Sequence, residues 1–391
     1  MDMISPSIAA LTPSLTLKVT NRAKAMKASG EEVYGLAGGE PEMDTPENIK
    51  QAAIAALNNG ATKYTPSAGL PALRQAIAEK LKRENNLEYD FTQITVGAGA
   101  KHACFNAIMA TVSEGDEVII PAPYWVSYPE MVRMCGGIPV IVETTAENGW
   151  KLTAEQFEEA MTPRTKMVIL TTPNNPTGSV YSEEELRALG EVALSEDILI
   201  LADEIYEHLV YGDTKHVSIA SLSPELYDLT ITINGFSKFA AMTGWRMGYL
   251  TARRDIYAAI YKLYQQSVSC MSGFLQEGAV QAFRIPDEVE TMRQSYQRRR
   301  DAFVGRLNAI PGVHCQMPEG AFYAWVSFDV DMTSDEMCDY ILDHAKVVGV
   351  SGAAYGMTQG CFLRFSFASD DAALSAAADR IEAAMRAYQQ R

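Results

Sequence analysis

Residues 198–208 read ILILADEIYEH: five apolar residues, then two acids, a phenol and a third acid. An extended run this short with apolar side chains on both faces predicts a strand covered on both sides, as in a parallel sheet between helices. The pattern repeats outward as KMVILTT (166–172), TITING (230–235), IPVIVE (138–143), EVIIP (117–121), ITV (94–96) and MGYLTA (247–252). Helical stretches separate these runs. One follows Ser182-Glu-Glu-Glu185, a capping-box pattern ahead of an apolar stripe at Leu186, Leu189 and Val192; another spans about 100–112. Strands alternating with amphipathic helices predict an α/β fold with a mostly parallel seven-stranded sheet between helices.

After Asp255 the pattern changes. Two long helices are predicted at about 255–283 and 287–308. They are followed by AFYAWVSF (321–328), a helix near 334–346, VVGVSG (347–352), FLRFSFA (362–368) and a last helix from about 370. This predicts a smaller α+β domain, joined by the N-terminal stretch. The predicted division is 47–283 for the large domain, and 1–46 with 284–391 for the small one.

A chain of 391 residues exceeds what one hydrophobic core usually serves. Hydrophobic residues at 47% and charged residues at 21% are those of a folded globular chain, not a disordered one. Thirty-three basic against 49 acidic residues leave a net charge of −16, which excludes a general nucleic-acid binder. The opening MDMISPSIAALTPSL has no signal-peptide pattern and no apolar run approaches membrane length, so a cytoplasmic protein without membrane contact is expected. The cysteines (Cys104, Cys135, Cys270, Cys315, Cys338 and Cys361) are scattered singly, without a CxxC pair. The five histidines show no HExxH, and no metal site is expected.

Ligands of open parallel sheets bind outside the carboxyl ends of the strands, and four strand ends carry unusual residues. Gly97-Ala98-Gly99-Ala100-Lys101 leads into a helix, either as a phosphate cradle or as a plain tight turn; His102 stands where a P-loop needs Ser or Thr. Pro173-Asn174-Asn175-Pro176-Thr177-Gly178 is a rigid turn that could fix an amide in place. Asp203 is either a helix cap or a buried acid that needs a cationic partner. Lys238, in FSK after TITING, is either a surface lysine or a desolvated amine reactive toward carbonyls. Together, a cradle, an amide, a buried acid and a desolvated lysine meet the needs of pyridoxal phosphate: an aldehyde partner, an acid for its ring nitrogen and donors for its phenolate oxygen.

The ordered motifs extend over essentially the whole chain: AGGEPEMDTP (37–46), KYTPSAG (63–69), GAGAK (97–101), PAPYWVSYPEM (121–131), PNNPTG (173–178), DEIYEH (203–208), NGFSKFAAMTGWRMGY (234–249), GAFYAW (320–325) and LRFSFA (363–368). On these motifs the chain resembles the class I, fold-type I aminotransferases, in the bacterial branch that contains aspartate aminotransferases. The resemblance implies a homodimer working by a ping-pong mechanism. Lys238 is then the Schiff-base lysine and proton shuttle, Asp203 the partner of the pyridinium nitrogen, and Asn175 and Tyr206 the donors to the phenolate oxygen. Trp125 stacks on the ring, and it and Asn175 also face substrate. The phosphate lies on Gly99, Ala100 and Lys101 with Ser237 and Arg246, and Tyr64 reaches it from the neighbouring subunit. Gly235 stands where many relatives carry a hydroxyl residue, which leaves more of the phosphate contact to Ser237. Arg364 grips the substrate α-carboxylate, and Gly39 lies on a segment that closes over substrate.

For substrate, the resemblance implies that Lys101, Ser14 and Thr16 recognise a dicarboxylate, favouring aspartate or glutamate with 2-oxoglutarate or oxaloacetate. Relatives that accept prephenate tend to carry a basic residue where this chain has Thr12. An aromatic or alanine-type preference, a carbon–sulfur lyase on the same fold and a non-catalytic binding protein are the alternatives.

Overall fold

A computed structural model describes residues 3–9, 11 and 15–390 of the chain. Its strands, in chain order, are β1 (Tyr34–Gly35), β2 (Ile94–Gly97), β3 (Glu117–Ala122), β4 (Ile138–Glu143), β5 (Thr165–Thr171), β6 (Leu199–Asp203), β7 (Thr230–Gly235), β8 (Gly248–Thr251), β9 (Val313–Cys315), β10 (Tyr323–Phe328), β11 (Val347–Val348), β12 (Val350–Ser351) and β13 (Phe362–Ser366). The seven runs read from the sequence form one seven-stranded sheet in the order β2-β8-β7-β6-β5-β3-β4. Strands β4, β3, β5, β6 and β7 are parallel, and β8 is antiparallel to both β7 and β2.

Two apolar layers cover this sheet. Val118, Ile120, Met167, Ile169, Leu201 and Ile231 pack on one side with the helix Ala100–Thr111. Ile119, Val168, Leu170 and Ile200 pack on the other with Leu186, Leu189 and Val192 of the helix Glu183–Ser195. That helix starts at the capping box: Ser182 Oγ accepts from Glu185 N at 3.2 Å, and Ser182 N donates to Glu185 Oε2 at 2.7 Å. Strand β4 departs from the expectation of double burial. It has a single neighbour, and Ile138 and Ile141 remain 44% and 36% exposed, because an apolar run at a sheet edge lacks the second strand that would cover it.

The helix expected at 255–283 is broken into Arg254–Ser267, Gly273–Val280 and a 3₁₀ turn, Gln281–Arg284. Ser269 adopts φ 72°, a conformation no helix continues through, and Gln276 Nε2 holds the released Met271 carbonyl at 2.9 Å.

A second, antiparallel sheet runs β12-β13-β10-β9. The N-terminal stretch lies beside it: β1 pairs with β11 in a separate two-stranded sheet, and Ser366 N donates to Leu36 O at 2.7 Å. Phe303, Phe322, Val326, Leu363 and Ile381 form the core beneath this sheet. All six cysteines are free, and among the described residues no helix is long and apolar enough to cross a membrane.

Parallel register brings the ends of β5 and β6 level, with Thr171 opposite Asp203, and sets Asp203 opposite Ile233 of β7. Gly235 ends β7 against the start of β8. A Cβ there would lie 2.9 Å from Gly248 Cα and 3.0 Å from Met247 O, so these two strands approach too closely for a side chain. Gly235→Ser is therefore expected to cost about 1–3 kcal/mol, read as a lower urea midpoint. An unchanged midpoint would show that the strands part freely.

Candidate active site

The chain turns around the ends of β5, β6 and β7 enclose a cavity of about 540 Å³, closed from above by residues of β10, β13 and the segment after β1. Asp203, the last residue of β6, is 4% exposed. Its Oδ2 accepts from Tyr128 Oη at 2.7 Å and its Oδ1 from Ile205 N at 3.2 Å; the Cys104 thiol stands 3.8 Å from Oδ2. Burial pushes this carboxyl above its ordinary range, against the pull of the Tyr128 hydroxyl. Among the described residues no cationic side chain forms an ion pair with it.

Lys238 stands three residues beyond β7. Its Nζ donates to Gly39 O at 2.5 Å and lies 5.6 Å from the Tyr206 ring centre. Removal from water, then the nearby Arg364 charge, lower the amine from 10.5 to about 8. Tyr206 Oη shares a 2.7 Å hydrogen bond with Tyr323 Oη. Burial and this neighbour push the Tyr206 phenol well up, so it stays protonated and able to donate.

Arg364 comes from β13, where it pairs with Trp325 of β10 and Val350 of β12. Its Nη1 donates to Asn175 Oδ1 at 2.9 Å and its Nη2 to Ala37 O at 2.7 Å, while its buried Nε has no partner among the described residues. The guanidinium carbon lies 4.3 Å from the Tyr323 ring centre and 5.2 Å from that of Tyr355, which fixes the plane of the fork.

Opposite Lys238 lies the start of the helix Ala100–Thr111, which no side chain among the described residues caps. Gly99 has φ 85°, and a Cβ there would stand 2.6 Å from Arg246 Nη2. Gly248 is as constrained, since its Cβ would fall 2.4 Å from Ala100 N. Arg246, at φ 53°, donates to Thr243 O at 2.8 Å and Ala98 O at 3.3 Å. Two glycines, an arginine and free helix-terminal amides make an anion cradle. Lys101 Nζ lies 4.9 Å from the Trp125 ring centre, and burial, then Arg246, lower its basicity.

The cavity brings together Gly39, Ala100, Lys101, Trp125, Asn175, Asp203, Tyr206, Ser237, Lys238, Arg246 and Arg364, with Gly99 beneath Arg246. Tyr64 does not join them. It is 92% exposed and lines a separate cleft with Ala61, Cys270 and Phe274. Ser14 lies outside the described residues, as does the side chain of Thr16, whose backbone belongs to the helix Leu15–Ala28. The sequence reading missed Tyr128, Thr171, Glu40, Thr243, Tyr323 and Tyr355, which also line the cavity. Tyr128 and Tyr323 sit inside quoted motifs, but nothing local marks one tyrosine as a ligand of a buried acid and another as packing.

These residues fit pyridoxal phosphate. The fit is seen, among the described residues, in a buried acid without a cation, an amine of lowered basicity, an orphaned guanidinium nitrogen and a cradle that a Cβ would fill. Fold and site thus define a pyridoxal phosphate-dependent enzyme of the α/β class. The family model for aminotransferase class I and II matches residues 31–381, and the chain belongs to that family. It is 46% identical to the aspartate aminotransferase of Geobacillus stearothermophilus, over 98% of this chain and 99% of that one. It is 45% identical to a probable aspartate/prephenate aminotransferase of Aquifex aeolicus, over 98% of each. Among solved structures, the aspartate aminotransferase of Rhizobium meliloti superposes with a TM-score of 0.94 at 43% identity, covering 99% of both chains. That of Thermus thermophilus with maleate gives 0.93 at 38%, covering 98% of this chain and 100% of the other.

Lys238 attacks an aldehyde only as the neutral amine. The rate at which the cofactor-free chain takes up pyridoxal phosphate is expected to rise with pH and level off above about 8, followed by visible absorbance. A rise continuing to 10.5, the ordinary lysine value, would show that the amine is not desolvated.

Proposed function

We propose that this aminotransferase acts on aspartate and glutamate with oxaloacetate and 2-oxoglutarate, through Lys238, Asp203 and Arg364. The observation that carries the reading is that these three side chains, from β7's extension, β6 and β13, line one cavity. When bound, pyridoxal phosphate supplies an aldehyde for covalent linkage and an electron-poor ring that takes up the electron pair of a broken Cα–H bond. Asp203 lends the ring nitrogen the negative charge it needs, and Tyr206 Oη and Asn175 Nδ2 donate to the phenolate oxygen. Asn175 is free to do so because its Oδ1 already receives Arg364.

The amides of Ala100 and Lys101, on the turn made by Gly99 and with Ser237 and Arg246, hold the phosphate, and Trp125 stacks on the ring. Arg364 binds the α-carboxylate as a fork and orients the Cα–H toward Lys238. Lys238 Nζ accepts that proton and returns it, a task suited to an amine near 8. Gly39, which holds Lys238 Nζ here, belongs to the segment that excludes water above substrate.

Lys101, beside Trp125 at the cavity wall, binds the distal carboxylate with Ser14 and Thr16. The names of relatives support this: several are aspartate aminotransferases, and one was solved with maleate, itself a dicarboxylate. Three relatives are named aspartate/prephenate or probable aspartate/prephenate aminotransferases, and Thr12 argues against that wider range here. The exposure of Tyr64, a bulky phenol on an open turn, supports a homodimer in which it reaches the neighbouring phosphate. We further propose that 47–283 forms one domain and 1–46 with 284–391 a second that closes over substrate, in a cytoplasmic protein, a location the unpaired cysteines support.

Lys238→Ala is expected to abolish both the visible absorption of bound cofactor and amino transfer; full turnover would reject the assignment. Arg364→Lys is expected to lower kcat/KM for every amino acid by about tenfold or more, since an ammonium cannot reproduce the fork. Lys101→Ala should weaken aspartate and 2-oxoglutarate while sparing alanine, in half-reactions followed by formation of pyridoxamine phosphate. Equal loss for all substrates would remove Lys101 from substrate choice. Release of pyruvate from cystathionine without amino transfer would favour a lyase.

A further inference from the structure

The turn at 203–208 divides its side chains between two environments. Asp203 and Tyr206 line the cavity, whereas Glu204 and Glu207 do not reach it and are 0% and 7% exposed. Glu207 ties three pieces of the chain together. Its Oε1 receives Lys80 Nζ, from the helix Pro71–Asn85, and Asn234 Nδ2, near the end of β7, the latter at 2.6 Å. Its Oε2 receives Asn85 Nδ2 at 2.6 Å, and Lys80 Nζ also donates to Asn85 Oδ1 at 2.6 Å. Asn234 Oδ1 in turn accepts from Gly235 N at 2.7 Å, within the segment that leads to Lys238.

Glu204, Glu207 and His216 could be taken for a metal site, since one ligand atom from each lies within 4.8 Å of the others. Lys80 already matches the charge of Glu207, and His216 Nε2 stands 3.3 Å from Glu204 Oε2. Two acids facing a lysine and a histidine can balance without an ion. A buried pair such as Lys80–Glu207 adds little net stability, because desolvation offsets its Coulomb attraction. What it supplies is geometry, and the groups it fixes are the two strand ends of the active site. Tyr206 directly precedes Glu207, and Asn234 lies four residues before Lys238.

We infer that Glu207 is a positioning residue: by gripping Asn234 from the turn after β6, it sets where Lys238 stands relative to Asp203 and Tyr206. The inference rests on the proposed roles of Lys238 and Asp203, which Lys238→Ala tests separately. If that variant keeps its colour and turnover, the site reading fails whatever Glu207 does.

The test compares Glu207→Ala, Glu207→Gln, Asn234→Ala and the double variant Glu207→Ala/Asn234→Ala with the parent holoenzyme. Three quantities are read: thermal melting by circular dichroism, pyridoxal phosphate Kd on the stripped chain by tryptophan quenching, and kcat and KM for aspartate. Glu207→Ala is expected to lower kcat by about tenfold or more with KM within about twofold, and to raise the cofactor Kd. Glu207→Gln, which keeps an acceptor for Asn234, should recover part of both. The double variant should be no worse than Glu207→Ala, as for two residues acting through one contact. Parental kcat and cofactor Kd in variants that remain folded, with only melting lowered, would overturn the inference, as would additive losses. If Glu207→Ala does not fold, Glu207→Gln, Asn234→Ala and their double variant carry the same comparison.

Discussion

The carboxylate of Asp203 is the constraint on which the rest of the site turns. An acid at the end of a strand buried on both faces is costly to hold charged, and the described residues provide it with a phenol, a backbone amide and a thiol but no ion-pair partner. In the proposed function, a cationic ring nitrogen would supply the missing charge. The amine of Lys238 shows the same logic in reverse, since loss of water and the proximity of Arg364 make its neutral form accessible. The two groups are opposite departures from ordinary basicity, and both come from burial at the carboxyl edge of one sheet.

The site is also a junction. Arg364 belongs to the small antiparallel sheet, yet its fork is held by Asn175 from the loop after β5 and by Ala37 from the N-terminal stretch. Lys238 reaches the same stretch through Gly39. The two cations that the proposed chemistry uses are therefore the groups that tie the stretch down, so binding at either one competes with a contact that closes the cavity. The buried Lys80–Glu207–Asn234 contacts lie on the far side of the same strand ends and resist their displacement.

Much of this was legible along the chain. Each of the seven sheet strands coincides with a short apolar run, because period and length survive without tertiary information. The break at Ser269 did not show, since a left-handed residue leaves little trace in an apolar pattern that continues on either side. Nor did the edge position of β4, because a strand's neighbours are not written in its own residues. Among site residues, Lys238, Asp203 and Asn175 stood out together at the strand ends, each having a plainer reading when taken singly, and Arg364 came only from the resemblance. Tyr128 and Tyr323 did not stand out, since a tyrosine is equally at home in a core.

The sequence by itself determined the layered α/β architecture through local periodicity, and the family through the resemblance of its ordered motifs, while unusual residues at the strand ends pointed to the groups proposed to react. Only the tertiary structure decided how those groups meet. Parallel register sets Asp203 level with Thr171, β13 delivers Arg364 across from another sheet, and Glu207 turns away from the cavity to grip Asn234. Such juxtapositions join residues far apart in the chain, and no local preference encodes them; packing and hydrogen bonding of the whole fold do.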